Sequence, residues 1–251
     1  MRIGFIGTGR IARRLVEGAA GRGHELIVTR RSETVSAELA AAHPEVEVAT
    51  TAADVVERCD TVFLCLPVER ARTVLEGLPF RAEQAVISVM VGLGLEALRG
   101  LAAPAGELAI TVPLPSIARG GCPLPVHPAS PTLAAIYGDR NPVLALPDES
   151  ALQQFFAVTG TVLPVLEELR TAVHWLANQC GDTALAEHYV TSLYAGYLAA
   201  IGPSDTPLDA AIDDLSIEGG LNATLRERVA ESGHYERLET GLDALLARLR
   251  D

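Results

Sequence analysis

The sequence contains no lysine; all 20 of its basic residues are arginine. That absence removes mechanisms that need a Schiff base or a titratable catalytic ammonium, because a guanidinium stays protonated. Positive charge is in deficit altogether: 32 acidic residues outweigh the 20 arginines and leave a formal net charge of -12. Such a balance argues against nucleic acid or an anionic membrane as the main partner. Cysteine is scarce. Cys59, Cys65, Cys122 and Cys180 form no C-x-x-C pair and lack the density of a secreted disulfide scaffold, so they read as reduced thiols, packed as small hydrophobes in a cytoplasmic protein. No basic segment followed by a long apolar run opens the chain, and no targeting leader is expected. The most apolar later stretch, YVTSLYAGYLAAIG, is short and broken by Thr, Ser and Tyr; it reads as a buried helix rather than a membrane span. No HExxH and no carboxylate cluster of ligand spacing is present, so no metal is expected. Small-molecule chemistry is what remains.

The chain has 251 residues, 49% of them hydrophobic, enough for a sizeable core and best divided into two domains. Up to about residue 112, short β-branched apolar runs alternate with amphipathic segments, the pattern of βαβ units in a parallel sheet. Strands are expected at 2–7, 25–30, 46–49, 61–67, 85–90 and 108–113, with helices between them. Prolines and glycines in PLPSIARGGCPLPVHPASP predict a loop with at most a short strand. Asp148 or Ser150 is placed to cap a helix running through Phe156. TVLPV, 161–165, has the look of a last strand. Beyond it, apolar residues at three and four spacing from Leu169 to Tyr197 predict one long helix or two abutting ones, with Gly181 at the joint. Tyr235, Leu238, Leu242, Leu245 and Leu249 form a stripe on a final helix, as expected where a helical domain pairs with a second copy of itself. The fold class expected is α/β: a Rossmann-type doubly wound sheet over 1–150, then an all-helical substrate and dimerisation domain over 151–251.

The strongest motif is GFIGTGRIARRLVEG. Gly7, Thr8, Gly9, Arg10, Ile11 and Ala12 match G-x-G-x-x-G/A directly after the first strand. Gly7 permits the tight turn, Gly9 lets the backbone approach a pyrophosphate, and Ala12 lets the helix lie close on the sheet. The helix start offers N–H groups and the positive dipole end to phosphates. At the end of the second strand, where an NAD enzyme presents Asp or Glu to the ribose 2'-hydroxyl, the chain has Thr29, Arg30, Arg31 and Ser32. Two guanidinium forks and two hydroxyls suit a 2'-phosphate and point to NADPH; the bland reading is a solvated turn before the next helix.

The order of motifs then resembles a known family. IGFIGTGRIA, FLCLPVERARTVLEGL, AVISVMVGLGLEAL, VPLPSIARGG, SIEGGLN and a helix with ESGHY follow one another as in the pyrroline-5-carboxylate reductases, over nearly the whole chain. The resemblance implies a Rossmann domain followed by a helical domain that interlocks with a partner subunit. It also implies an NADP-dependent reductase of the CH–NH class that converts a cyclic imine to a secondary amine, proline in the namesake reaction. Carried over by position, Cys65, Leu66 and Pro67 lie against ribose and nicotinamide, and Ser88, Val89 and the residues to Gly92 close the nicotinamide end. Pro113 and Leu114 begin the loop that lines the substrate side. The family's SPGGTT, which grips the substrate carboxylate, falls on Ile217–Asn222, with Gly219 and Gly220 as the glycine pair. Here the chain departs: Leu221 and Asn222 stand where the family has two threonines, Glu218 replaces proline, Leu114 replaces the asparagine of the MPN loop, and NQCGDTALAEHY replaces SGSGPAY. Cofactor chemistry transfers across these changes better than substrate identity does.

An imine is basic enough to be protonated before it accepts hydride, so positioning carries much of the catalysis. Asn222 reads either as a substrate contact or as the N-cap of the helix beginning at Ala223; Ser216 is a second substrate-contact candidate. His188, and His174 on the same helical stretch, read either as proton donors or as ordinary helix residues. Tyr189 aligns loosely with the family's tyrosine. Three rivals remain: a β-hydroxyacid dehydrogenase, which needs the lysine this chain lacks; a deazaflavin-dependent NADP reductase; and a non-catalytic NADP-binding dimer.

Overall fold

The computed structural model describes residues 1–30, 33–201 and 208–250. Within it, β-branched runs become strands and the amphipathic stretches between them become helices. Arg2–Ile6 (β1) leads to Arg10–Ala19 (α1), Glu25–Thr29 (β2), Glu33–Ala42 (α2), Val46–Ala49 (β3), Ala52–Arg58 (α3), Thr61–Leu64 (β4), Val68–Leu75 (α4), Ala85–Ser88 (β5), Leu95–Ala102 (α5) and Glu107–Thr111 (β6). A 3-10 turn at Pro115–Ala118 follows, then Leu124–His127 (β7), Pro131–Tyr137 (α6), Val143–Ala145 (β8) and Glu149–Thr159 (α7). The strands form one sheet in the order β3-β2-β1-β4-β5-β6-β7-β8. Neighbours are parallel except β6 and β7. The first six strands thus have the doubly wound dinucleotide-binding order.

Side chains alternate across the pleat and build a core on each face. Ile3, Phe5, Leu26, Val28 and Phe63 face one side, with Leu15 and Tyr137 packed on them. Ile6, Ile27, Val62, Leu64 and Val86 face the other, under Val55, Leu75 and Leu98. All four residues of β4 are buried, as expected of a central strand covered on both faces. On the first face, Phe5 and Phe63 stack with centroids 5.2 Å apart, and Tyr137 meets Phe63 edge-on at 5.9 Å. The fully buried Tyr137 hydroxyl donates to the Leu15 carbonyl at 2.8 Å, fastening α6 to α1.

The described residues fall into two compact units, Met1–Phe156 and Ala157–Leu249. The second holds Val162–Cys180 (α8), Thr183–Ala200 (α9), Leu208–Leu215 (α10), Leu221–Glu231 (α11) and His234–Arg250 (α12). Gly181 closes α8 in the left-handed region (φ 73, ψ 9), and Asp182 caps α9 by accepting the Leu185 N–H. The abutting pair expected from the spacing is what forms, packed around Val173, Ala186 and Val190. His234 and Glu168 face each other at 2.8 Å within the same unit.

Several expectations need correction. TVLPV is not a strand: Thr161 is the N-cap of α8, and 162–165 is its first turn. Pro164 sits where a helix has no partner for an N–H, so the first turn tolerates it. Most strands end earlier than expected, β4 at Leu64 and β5 at Ser88, because the apolar character continues into buried loop residues such as Leu66 and Met90. The loop after β6 holds β7 as its short strand, whereas α6 and β8 are elements beyond those expected from the sequence. Cys59, Cys65 and Cys122 are buried, but Cys180 is exposed. Residues 189–200 of YVTSLYAGYLAAIG are helical, yet Tyr189, Leu193, Tyr194 and Leu198 are exposed there.

Two outcomes test this packing. Tyr137→Phe should lower stability by about 1 kcal/mol, the net worth of a buried hydrogen bond, seen as a reduced urea midpoint with an unchanged m-value. Burial pushes the Cys59 thiol up to about 12 and also raises that of Cys65. At pH 8, iodoacetamide should therefore label Cys180 rapidly in the native protein and all four cysteines only after unfolding, as read by peptide mass spectrometry; rapid native labelling of Cys59 or Cys65 would contradict the fold.

Candidate functional site

The fingerprint turn is shaped by contacts that only glycine permits. Gly7 leaves β1 at φ +100, and a Cβ there would lie 2.4 Å from the Cys65 carbonyl oxygen and 3.1 Å from Leu66 Cδ2. The ends of β1 and β4 are therefore drawn together more closely than any side chain allows. The Gly7 N–H donates to Thr29 Oγ1 at 2.9 Å. Thr29 is only 8% exposed, so its hydroxyl, expected beside a 2'-phosphate, instead ties the turn to the end of β2. Thr8 is buried as well. Gly9 is the N-cap of α1, with extended backbone and no side-chain cap. A Cβ built on Gly9 would touch nothing within 4 Å. Gly9 and Arg10 are exposed, Ile11 is half-buried, and Ala12 is buried against the core. The first amides of α1, which have no acceptor inside the helix, thus open onto an uncluttered surface with no acidic residue in the first turn.

Around this turn, the carboxyl ends of the parallel strands carry the other candidates. Arg30 is exposed, and its N–H donates to the Ala49 carbonyl at 3.1 Å, which holds it at the end of β2. Arg31 and Ser32 lie outside the described residues. Cys65 donates its N–H to the Ile6 carbonyl at 2.9 Å; Leu66 is buried, and the exposed Pro67 is the N-cap of α4. Ser88 is fully buried, and its hydroxyl accepts the Met90 N–H at 3.2 Å. The Val89 N–H reaches the Leu64 carbonyl at 3.1 Å. The loop then turns at Gly92 (φ +81) and ends at α5, where the Leu95 N–H meets both carboxylate oxygens of Glu149 at 3.3 Å. Sequence reasoning missed Glu149: as a cap on another helix's start, it leaves no local pattern. Pro113 is buried and Leu114 half-buried, and the Leu114 N–H donates to Cys122 Sγ at 3.4 Å. The loop expected to line the substrate side is thereby pinned to the core at Cys122.

In the helical unit, Ile217–Gly220 forms a tight turn with Gly219 at φ +70 in third position, as a type II turn requires. The Gly220 N–H donates to the Ile217 carbonyl at 2.8 Å, so it is not presented to an anion as expected. Gly220 is the N-cap of α11; Asn222 is the second helical residue, and the N-cap reading of it is overturned. Both hydroxyls beside the turn are directed at helix carbonyls. Ser216 donates to Ile212 at 2.7 Å and accepts from the Arg226 guanidinium at 2.9 Å; Thr224 is directed at Gly220 at 3.0 Å. Leu221 is 91% exposed. His174 and His188 are both exposed on their helices. Residues from α9, α10 and the start of α11 line an open groove of about 340 Å³, with Tyr194, Tyr197, Leu198, Ile212, Leu215 and Asn222 among its walls. Among the described residues no three His, Cys, Asp or Glu side chains are placed to hold a metal ion, and no helix is long and apolar enough to cross a membrane.

Comparison with known proteins sharpens the picture. Solved structures that superpose on the chain include the Plasmodium falciparum pyrroline carboxylate reductase with NADP bound, at TM-score 0.86 and 15% identity over 99% of this chain and 97% of that one. The fold is that of the pyrroline-5-carboxylate reductases. The Streptococcus pyogenes 1-pyrroline-5-carboxylate reductase matches at TM-score 0.84 and 20% identity, over 99% and 98% of the two chains. A reductive aminase from Aspergillus terreus in complex with NADPH and ethyl-5-oxohexanoate matches at TM-score 0.61 and 16% identity, over 98% and 92%. Residues 2–92 match the family described as NADP oxidoreductase, coenzyme F420-dependent. No curated protein sequence matches significantly. The resemblance of fold to the pyrroline-5-carboxylate reductases thus extends over nearly the whole chain.

The two glycines should separate structure from binding. Gly9→Ala meets no neighbour, so it should leave the unfolding free energy from urea titration within about 0.5 kcal/mol of the parent while weakening dinucleotide binding at least tenfold in calorimetry. Gly7→Ala, strained at φ +100 and pressed on the Cys65 carbonyl, should instead destabilise the fold.

Proposed function

We propose that this protein is an NADPH-dependent reductase of the C=N bond of a small cyclic imine, the reaction class that yields proline from 1-pyrroline-5-carboxylate. The observation that carries the reading is the open, glycine-shaped start of α1 beside the exposed Arg30, within a fold matched end to end by pyrroline-5-carboxylate reductases. The residues fit the cofactor. The α1 amides behind Gly9 hold the pyrophosphate, Arg30 with Arg31 and Ser32 takes the 2'-phosphate, and Cys65, Leu66, Pro67, Ser88 and Val89 border the nicotinamide. When bound, the dinucleotide supplies the hydride. The chain's own residues hold the imine in place and exclude water. Asn222 is the amide available to orient the substrate, Ser216 supports the turn beside it, and His188 is the candidate proton donor. In this proposal the first unit is the NADP-binding domain and the second the substrate and dimerisation domain. The helical unit's exposed Leu163, Trp175 and Leu198, each more than 60% accessible, support a homodimer through these helices. The reduced thiols and acidic composition support a cytoplasmic setting without nucleic-acid or membrane partners.

A second reading is favoured by the match of residues 2–92 to F420-dependent NADP oxidoreductases: hydride exchange between NADPH and a deazaflavin. One experiment separates the two. NADPH oxidation should be followed with cyclic imines, with keto acids plus amines, and with oxidised deazaflavin. Turnover on imines is the expected result; turnover on the deazaflavin alone, or tight NADPH binding without turnover on any of them, would overturn the proposal. Arg30→Ala combined with Arg31→Ala should weaken NADPH at least tenfold, about 1.4 kcal/mol, and leave NADH nearly unchanged. Equal losses would refute the 2'-phosphate assignment.

A further inference from the structure

We infer that Glu149 is a positioning residue for the nicotinamide: by capping the start of α5 it holds the loop 89–94, which leaves β5 at the nicotinamide end, and so sets where the cofactor's reactive ring sits. The inference rests on the NADPH reading above, and every residue it uses belongs to the first unit. The loop is fastened at its β5 end, where the Val89 N–H donates to the Leu64 carbonyl at 3.1 Å and the Met90 N–H to Ser88 Oγ at 3.2 Å. Its middle is open: Val91 is 53% exposed, and Gly92 turns in the left-handed region at φ +81. Its far end has no cap of its own. The N-cap of α5 is Gly94, which carries no side chain to accept an amide. Glu96, the acid in the first turn of α5, is directed at Arg99 at 2.6 Å. The Leu95 N–H is one of the amides a helix leaves without an internal acceptor. It meets both carboxylate oxygens of Glu149 at 3.3 Å, across 54 residues of sequence.

Three features tie this carboxylate to α5 rather than to its own helix. Asp148 already caps α7, its Oδ1 accepting the Ala151 N–H at 2.7 Å. Leu152, three residues beyond Glu149, is 4% exposed and belongs to the core that also holds Met90, Leu93 and Leu98, so the carboxylate is delivered from an anchored turn. It also sits against the N-cap, since a Cβ on Gly94 would lie 2.9 Å from Glu149 Oε1. A negative charge is what the positive end of a helix favours. The starts of α1 and α5 therefore differ: the first has no acid in its first turn and is left open for a phosphate, while the second is completed by the chain itself. Hydride transfer needs its reacting atoms within about 3–3.5 Å. A slack loop beside the ring costs rate even where the adenosine half is held as before.

The test separates the two halves of the cofactor by calorimetry on the full chain. The ligands are NADPH and 2'-phospho-ADP-ribose, which has the pyrophosphate and the 2'-phosphate but no nicotinamide. Glu149→Ala should weaken NADPH roughly fivefold and leave 2'-phospho-ADP-ribose nearly unchanged. On a cyclic imine it should lower kcat about tenfold with little change in KM. Glu149→Gln, which keeps one acceptor oxygen, should recover part of both losses. Gly94→Ala has an extended backbone that any residue adopts, at φ -72 and ψ 162. Its Cβ should displace the carboxylate and reproduce the pattern, and combining it with Glu149→Ala should add little, since both act on one contact. Should Glu149→Ala fail to fold, the Gln and Gly94 variants carry the same comparison. Equal weakening of the two ligands, or weakening of neither, would overturn the inference and leave the NADPH reading intact. Failure of the parent chain to bind either ligand would instead sink the NADPH reading itself.

Discussion

The first unit depends on one close approach. At Gly7, β1 ends against the carbonyl of Cys65 while its N–H is held by the hydroxyl of Thr29. Three strands therefore meet within one residue's reach, and the start of α1 is aimed by all of them. Neither contact survives a side chain at position 7 or loss of the hydroxyl at position 29 without rearrangement. Because Thr29 is in the sheet and Cys65, just past β4, is held to β1 by its own N–H, the turn has little freedom of its own, and the helix amides behind Gly9 are pre-set rather than ordered by a ligand. Pre-setting of this kind lowers the ordering cost that binding otherwise carries.

The helical unit follows a different logic. Its internal core is small, centred on Val173, Ala186 and Val190, while many of its large apolar residues are exposed. Its turn before α11 is closed by the Gly220 N–H, and the hydroxyls on either side are directed at helix carbonyls. The result is a helix start whose neighbouring polar groups satisfy each other and whose adjoining groove is apolar. That combination sets it apart from a hydroxyl-lined anion grip built on the same glycine pair.

What could be read from the sequence divides along a physical line. Gly7 and Gly181 were legible because each marks a left-handed backbone that few residues adopt, Gly9 and Ala12 because the fingerprint spacing places them, and the strand alternation because burial imposes a period. The ends of β4 and β5 were not, since apolar periodicity records burial and Leu66 and Met90 remain buried after ladder pairing stops. TVLPV misled for a related reason: β-branched residues beside a proline look like a strand, yet the first turn of a helix accepts both. The direction of a hydroxyl was out of reach altogether. Thr29, Ser216 and Thr224 each took a role set by a backbone group whose position only the fold determines, and Asn222 lost its capping role because Gly220 began the helix two residues sooner.

The bond from Tyr137 to the Leu15 carbonyl spans 122 residues, and it bears on how the chain matures during synthesis. The helix that follows Gly9 leaves the ribosome well before the phenol that fastens it, which is more than a hundred residues further along the chain. Contacts of such separation are slow to form and cannot be made by a partial chain. The fingerprint helix is thus translated before it can be fastened, and a nascent chain that stops short of Tyr137 would carry the fingerprint without the bond that holds its helix in place.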